Sequence, residues 1–463
     1  MKMFFNLIVL CTMFNLNVLF SQTFAGGSGT EGDPYLISSK ANLDELADIV
    51  NNGEPYWSGQ KYFRLINDIT EPFQNIIGIV TYDTLVNGVI SMKNTNTFCG
   101  SFDGGGYRIV LDINLPDESD VGLFGCIELV PTIIKNVILE GRVVGNSFVG
   151  GLIGSVGLLN DPSSMGPIIM CCYSHCDVTA TEPPLGYTGY EYLTKCVGGL
   201  VGFGRPRLLN CYTTGNVSNL GTEGHIGGLV GHFFSYAYII NCYSTGNVIS
   251  IDSNCCIGGL VGSAYAPNIF NSYFAGNITS DNGYAGGLIG CTPSAYTPYN
   301  CYYIDTWSSS GLPSNEFGTP LTANEMKSNG FVKILNQEHS IISDSIKQML
   351  GIWKYDSNNV NNGFPVTTCG GGLNIADNYI QNIAIFPNPT NATSTLTLDL
   401  EKAGNLKITL EDLLGSELLE LHNTFEDTGT FATTFSLETF PTGVYFLKIN
   451  HNGNVKMEKV IRK

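Results

Sequence analysis

The chain has 463 residues, enough for two or three domains, and 55 of them are glycine. Only 13% are charged while 43% are hydrophobic, a composition of short apolar strands and tight turns that excludes a disordered chain. A net charge of −18 excludes a nucleic-acid binder and a protein docked on anionic lipid, since both need a basic face.

Residues 1–21 read as a secretory signal peptide, with Lys2 as the positive start and an apolar run from Phe4 to Phe20. Ser21 is a small residue at which cleavage would leave Gln22 as the new N-terminus. Asn6, Asn15 and Asn17 interrupt the run, which argues against a membrane anchor, and no later stretch reaches spanning length.

Residues 22–120 form the expected opening and cap region of the next element. Within it Leu43, Leu46, Ala47 and Val50 fall on one stripe of a helix, with Ser38 or Ser39 to cap its start and Gly53 just past its end. Asp103-Gly104-Gly105-Gly106 is a lone glycine-rich turn with no phosphate-loop lysine, and reads as structural.

Residues 121–305 repeat. A GGL(V/I)G element begins at Val149, Val197, Ile226, Ile257 and Ala285, with a looser copy at Val121; the last four starts are 29, 31 and 28 residues apart. The gap of 48 before Val197 marks an insertion, placed at Glu182-Pro183-Pro184 and the Tyr187, Tyr190, Tyr192 cluster. A second element follows each copy: NCYTTGNV at Asn210, NCYSTGNV at Asn241, NSYFAGNI at Asn271, a truncated NCYY at Asn300 and a degenerate CCYSHCDV at Cys171. One unit is too small to enclose a core, so the copies must stack and pair strand on strand. Paired glycines and Val, Ile, Tyr and Thr disfavour a helical repeat, and the period is short for a propeller blade. The expected fold class is all-β: a parallel β-helix solenoid with helical caps, followed by a small antiparallel β-sandwich. Residues 306–372 are the expected closing cap, where Thr322 can start a short helix carrying Met326, Phe331, Ile334 and Leu335. Both caps are expected to plug the ends of the coil. Residues 373–382 read as a linker, and in 383–463 glycine thins while apolar and polar residues alternate, as in half-buried antiparallel strands.

Cysteine follows the repeat. Cys172, Cys211, Cys242 and Cys301 hold one slot, which Ser272 fills in the remaining copy, so the slot asks for a small buried side chain. A ladder of free thiols is expected, not a full disulfide framework. Zinc at Cys171, Cys172, Cys176 and His175 is the alternative, on a spacing that is not a usual finger.

No catalytic motif stands out: no HExxH, no GxxxxGK[ST] and no GxSxG. Residues 121–305 hold 10 acidic and 5 basic residues and no Asp-Asp pair, which is sparse for a calcium-dependent lyase or a two-carboxylate glycosidase. Asp177, Glu182 and Glu191, with Arg205 and Arg207, are the one set able to converge near the insertion; otherwise they are solvated loop charges. No cofactor-binding or metal-binding residue is assigned.

Two resemblances bear on function. The body, GGLVG followed by NCYSTGNV, resembles GLUG repeats, and its flanks GGSGTEGDPYLI at Gly26, YFRLINDI at Tyr62, FCGSFDGGGYRI at Phe98, TPLTANEMK at Thr319, WKYD at Trp353 and NNGFP at Asn361 fit the same pattern. That resemblance implies a right-handed, pectin-lyase-like β-helix of a bacterial surface protein. The tail, with Phe386-Pro387-Asn388-Pro389, the Gly404 to Gly415 strand pair, Pro441-Thr442-Gly443 and the terminal Lys459-Val460-Ile461-Arg462-Lys463, resembles the type A sorting domain of the type IX secretion system of Bacteroidetes. It implies export across the outer membrane and attachment at the cell surface, with the secretion machinery as partner. The expected function is a non-catalytic adhesion or ligand-binding scaffold for a glycan or a host or neighbouring-cell protein. The alternative is a secreted polysaccharide lyase or glycoside hydrolase.

Overall fold

A computed structural model describes residues 24–53, 57–82, 92–127, 132–156, 166–182, 195–234, 237–252, 254–265, 268–280, 284–292, 298–305, 317–337, 342–347, 349–369, 380–400, 403–411, 417–451 and 454–463. The expected signal peptide, residues 1–21, and the tyrosine-rich part of the insertion lie outside these.

The body is a parallel β-solenoid of about seven turns. One turn shows the plan: strands Cys196–Gly198, Val201–Gly204, Arg207–Leu209, Tyr212–Thr213 and Val217–Asn219 follow one another around the coil. Each pairs in parallel with its copy one repeat later: Val197 with Ile226, Val201 with Val230, Leu208 with Ile239, Tyr212 with Tyr243 and Val217 with Val248. The ladder containing Arg207–Leu209 has eight strands and runs from Tyr35–Ile37 to Asn268–Phe270. Inside, columns such as Leu123, Leu152, Leu200, Leu229, Leu260 and Leu288 are fully buried.

The GGLVG element makes the sharp corner between the first two strands of a turn. A β-carbon on Gly227 would lie 2.1 Å from the Val230 carbonyl oxygen, and one on Gly231 2.4 Å from the Val197 nitrogen. One on Gly228 would meet the Gly259 oxygen at 2.2 Å and Ser244 Oγ at 2.4 Å. None of the three has a left-handed φ, so the glycines are required by backbone-to-backbone approach and not by strain.

The Asn-Cys-Tyr triplet builds three ladders at once. The asparagines Asn210, Asn241, Asn271 and Asn300 turn the chain with φ between 47° and 56°, a region asparagine tolerates. The next residue points inward. Cys211 Sγ donates to the Leu209 carbonyl at 3.3 Å, while the group in the next turn accepts from the backbone of the one before: Cys211 N donates to Cys242 Sγ at 3.3 Å, and Cys242 N to Ser272 Oγ at 3.1 Å. The slot therefore wants a short group that both donates and accepts, which is why serine and cysteine alternate there. The thiols of Cys172, Cys211, Cys242 and Cys301 are free and buried, as expected. The tyrosines point outward and stack, Tyr173, Tyr212, Tyr243 and Tyr273, at 4.1, 4.7 and 5.1 Å between ring centres.

The helix Lys40–Asn52 is capped by Ser39, and its Leu43, Leu46, Ala47 and Val50 enter the central core, so it plugs the N-terminal end of the coil. The C-terminal helices Ala323–Met326 and Asn329–Leu335 differ from expectation in place. Strand Thr319–Leu321 adds a last rung, and Phe317 touches the central core, but Met326, Phe331 and Leu335 join Trp353 and Phe364 in a separate cluster over Tyr243 and Tyr273. The reason is the outward tyrosine stack, which leaves a broad aromatic flank to be covered. The segment then runs back along that flank as a strap. Asn300 donates to the Ile334 carbonyl, Asn241 to that of Gly351, and Asn210 both donates to Met349 and accepts from Gly351 N. At the far end Cys171, in the slot of the turn asparagines and with φ 55°, forms a disulfide with Cys369. A second disulfide joins Cys256 and Cys291 on adjacent turns.

The tail has its own core, with Leu396, Leu398, Leu406, Ile408, Leu447 and Ile449 buried between two antiparallel sheets. One holds strands Ile380–Phe386, Thr393–Leu400 and Gly429–Ser436; the other is ordered Glu417–Glu426, Gly404–Glu411, Gly443–His451, Asn454–Arg462.

Two substitutions separate the roles of ladder and strap. Cys242→Ser should cost less than about 1 kcal/mol in a denaturant melt, because serine satisfies the same two contacts. Trp353→Ala should cost about 3–5 kcal/mol, because Trp353 is 2% exposed against two stacked tyrosines. Equal costs would contradict this division.

Candidate functional site

Three consecutive N-terminal turns contribute strands Tyr62–Leu65, Ser101–Asp103 and Ile133–Lys135 to the eight-stranded ladder. Alternation sends Phe63, Phe102 and Ile134 into the core, each 1% exposed or less. Tyr62, Arg64, Ser101, Asp103, Ile133 and Lys135 face out, with Tyr62 beside Ser101, Arg64 beside Asp103 and Asp103 beside Lys135. With the loop of Glu31, Gly32 and Pro34 they line a groove of about 370 Å³.

The groove is mixed in character. Tyr62 and the 37% exposed Ile133 offer apolar surface, and Arg64, Asp103, Lys135 and Glu31 offer charge of both signs. Asp103 is committed to structure. One oxygen accepts from Gly105 N at 2.9 Å and from Asn136 Nδ2 at 2.8 Å, and the other faces Lys135 Nζ at 3.5 Å.

One column of the ladder explains why the groove lies here. After Leu36 on the first strand, its outward residues, in register, are Arg64, Asp103, Lys135, Met170, Leu209, Ile240 and Phe270. Three charged residues give way to four apolar ones. The apolar four are covered by Ile342, Ile346, Met349 and Leu350 of the strap, and the charged three border the groove.

The described residues singled out near the insertion, Asp177, Glu182, Arg205 and Arg207, are spread over different ladders and partners. Asp177 stands on the strand Asp177–Ala180 and Arg207 on Arg207–Leu209, which belong to different ladders. Asp177 accepts from Asn216 N and Nδ2 and so begins an outward ladder that continues through Asn247 to Asn277. Glu182 pairs with Lys195 at 2.8 Å and accepts from Thr222 N; burial pushes its carboxyl up, but these bonds outweigh that and hold it below its usual value. Arg205 lies over the Phe234 ring, and Arg207 Nε donates to the Gly166 carbonyl at 2.7 Å. Glu191 lies outside the described residues. The zinc alternative fails because Cys171 is spent in its disulfide and Cys172 in the core ladder. Among the described residues no three His, Cys, Asp or Glu converge as a metal would need.

Sequence reasoning missed the pair His225 and His232, whose rings lie 5.0 Å apart on the corner of the Ile226 turn. Phe203 stacks on His232, and Phe234 meets it edge-on at 4.5 Å. Burial pushes both imidazoles down to about 4, and for His232 the nearby His225 adds to it.

The comparisons with known proteins agree with this architecture. Residues 384–463 match the family described as secretion system C-terminal sorting domain, and residues 253–279 match the GLUG motif. A candidate Gly-rich membrane protein of Evansella cellulosilytica is 32% identical over 29% of this chain and 14% of its own length. Halomucin of Haloquadratum walsbyi is 30% identical over 28% of this chain and 1% of its own. The chain thus spans only a small part of either relative. The solved structure of a candidate immunoglobulin A1 protease from Bacteroides ovatus superposes with a TM-score of 0.50 at 19% identity, covering 74% of this chain and 95% of that one. At that identity the likeness speaks for the fold alone. The chain carries GLUG repeats on a β-solenoid and ends in a sorting domain, which supports secretion through the type IX system. No helix among the described residues is long and apolar enough to cross a membrane.

The histidine pair sets a direction for stability against pH. The folded imidazoles titrate at about 4 and the unfolded ones near 6.5, so between these values the unfolded chain binds the extra protons. The contribution is complete above pH 6.5 and is lost as pH falls to 4. Thermal melts from pH 7 to 4 should show a steeper loss for the wild type than for the His225→Gln, His232→Gln double variant. Parallel curves would remove the pair from the account.

Proposed function

We propose that this is an exported repeat protein held at the cell surface, whose solenoid is a non-catalytic scaffold that binds a glycan through the groove on its N-terminal turns. The observation that carries the reading is the column from Arg64 to Phe270. Its apolar part is closed by the protein's own strap, and its charged part is left to solvent beside Tyr62 and Ile133. A hydroxyl-rich chain matches that surface, since sugar faces pack on aromatic and aliphatic side chains and hydroxyls bond to Arg, Lys and carboxylates. Asp103, with both oxygens engaged, holds Lys135 and the Gly105 turn in place at the groove wall.

The enzymatic reading has one observation in its favour, the second carboxylate of Glu31 on the groove wall. One experiment separates the two. Purified protein is incubated with a panel of bacterial and host polysaccharides, and both retention and chain cleavage are measured. The scaffold reading expects retention that falls at least tenfold in Tyr62→Ala and Arg64→Ala, with no new chain ends. New reducing or unsaturated ends that vanish in Asp103→Asn or Glu31→Gln would overturn it.

A further inference from the structure

The four-stranded sheet of the tail has two edges, and they are treated differently. The edge strand Asn454–Arg462 carries Lys456, Lys459 and Arg462 and is covered over its last residues by the Pro387-Asn388-Pro389 segment. Asn388 Nδ2 donates to the Lys459 carbonyl at 2.7 Å, and Asn388 Oδ1 accepts from Ile461 N at 3.0 Å. Thr390 N donates to the Ile461 carbonyl, and Lys463 N to that of Thr390, both at 2.9 Å. The two most separated signals of the tail, its proline motif and its basic end, are one structure that closes an edge.

The opposite edge is Glu417–Glu426. It pairs with Gly404–Glu411 on one side, and among the described residues no other strand pairs with it. It is ten residues long, holds no proline and no lysine, and exposes Leu418, Leu419 and Phe425 by 38%, 41% and 64%. Proteins normally blunt such an edge with lysine, proline or bulges that twist it away; this strand has two bulges, between His422 and Glu420 and between Leu419 and Glu417, yet it stays paired with its neighbour from Glu426 to Glu417. Here the lysine is missing from the edge itself: Lys407, on the neighbouring strand, reaches Glu417 and Glu420 at 3.4 and 3.1 Å, and Glu426 turns to His422 at 2.9 Å. Three glutamates against one lysine leave the edge acidic.

We propose that the Glu417–Glu426 edge is the docking surface of the sorting domain, on which the export machinery adds an extended strand of its own bearing lysine or arginine. The proposal rests on reading residues 384–463 as the sorting signal. Charge decides the occupant. A second copy of the same edge, laid antiparallel, would set Glu417 against Glu426, and like charges directly opposed are destabilising. The basic edge of a second copy is closed over its last residues by its own Pro387–Thr390 segment. A basic strand from another protein meets neither obstacle, and it gains backbone hydrogen bonds along the edge together with apolar contact at Leu418, Leu419 and Phe425.

The test uses the full-length chain in a cell with an active type IX system. Four forms are compared for the fraction reaching the surface or the medium: wild type, Leu419→Lys with Phe425→Lys, Glu438→Lys as a charge control on exposed surface elsewhere in the tail, and deletion of residues 380–463. Thermal melts of the purified chains report folding, and Phe425→Tyr serves as the conservative variant. The proposal expects at least a tenfold loss of export for the double variant with an unchanged melt, and normal export for Glu438→Lys and Phe425→Tyr. Normal export of the double variant, with the deletion retained inside, overturns the edge as docking surface and leaves the sorting reading standing. Normal export of the deletion overturns the sorting reading itself.

Discussion

The solenoid depends on how closely two lengths of backbone can approach at the GGLVG corner. With Gly227 and Gly231 facing peptide groups at little over 2 Å from where a β-carbon would stand, the first two strands of each turn fold against one another with no side chain between them. That approach sends Ile226, Leu229 and Val230 into the core at full burial. It also fixes the step from one turn to the next, and with it the register of every ladder. The asparagine turns, the cysteine slot and the tyrosine stack follow it, beginning 13 to 15 residues after the start of the corner element in the last four copies.

A stacked coil solves its core by repetition but creates two surfaces that repetition cannot solve. The outward tyrosine stack is apolar and continuous, and so are Met170, Leu209, Ile240 and Phe270 on the neighbouring ladder. The chain covers both with non-repeating sequence, a strap pinned by turn asparagines and tied at Cys171 to Cys369. Where the column turns charged the strap has no apolar surface to hold, and the groove stays open. The division between covered and open face is therefore set by the residues of one column, and it places the candidate binding surface near the N-terminal cap.

Much of this was legible in the sequence. The GGL and NCY spacings report the coil, because every turn must present the same groups at the same step. The exchange of Cys for Ser at position 272 reports a small inward slot, and the stripe Leu43, Leu46, Ala47, Val50 reports a plug. Asp177 was misassigned to the candidate set, although aligning CCYSHCDV with NCYTTGNV puts it in the slot of Asn216, at the head of a structural ladder. The groove was not legible, because Tyr62, Arg64, Asp103 and Lys135 precede the regular repeats and meet only through strand register. Nor was the strap's placement. The apolar residues of a short helix look alike whether they plug an end or cover a flank, and only the outward tyrosines distinguish the two. Proximity in sequence misled for Arg205 and Arg207, which the corner carries to another face.

Replacement of single glycines by alanine within one turn tests the corner most directly. Gly227→Ala, Gly228→Ala and Gly231→Ala are compared with Gly32→Ala, where a β-carbon meets nothing within 4 Å. Alanine in place of glycine at a compatible site stabilises by up to about 1 kcal/mol, because the unfolded chain loses freedom. The account predicts the opposite sign at all three corner positions in denaturant melts, with losses above about 1 kcal/mol, and a neutral or stabilising effect at Gly32. Neutral or stabilising alanines at Gly227, Gly228 and Gly231 would contradict it, since the corner would then have room for a side chain.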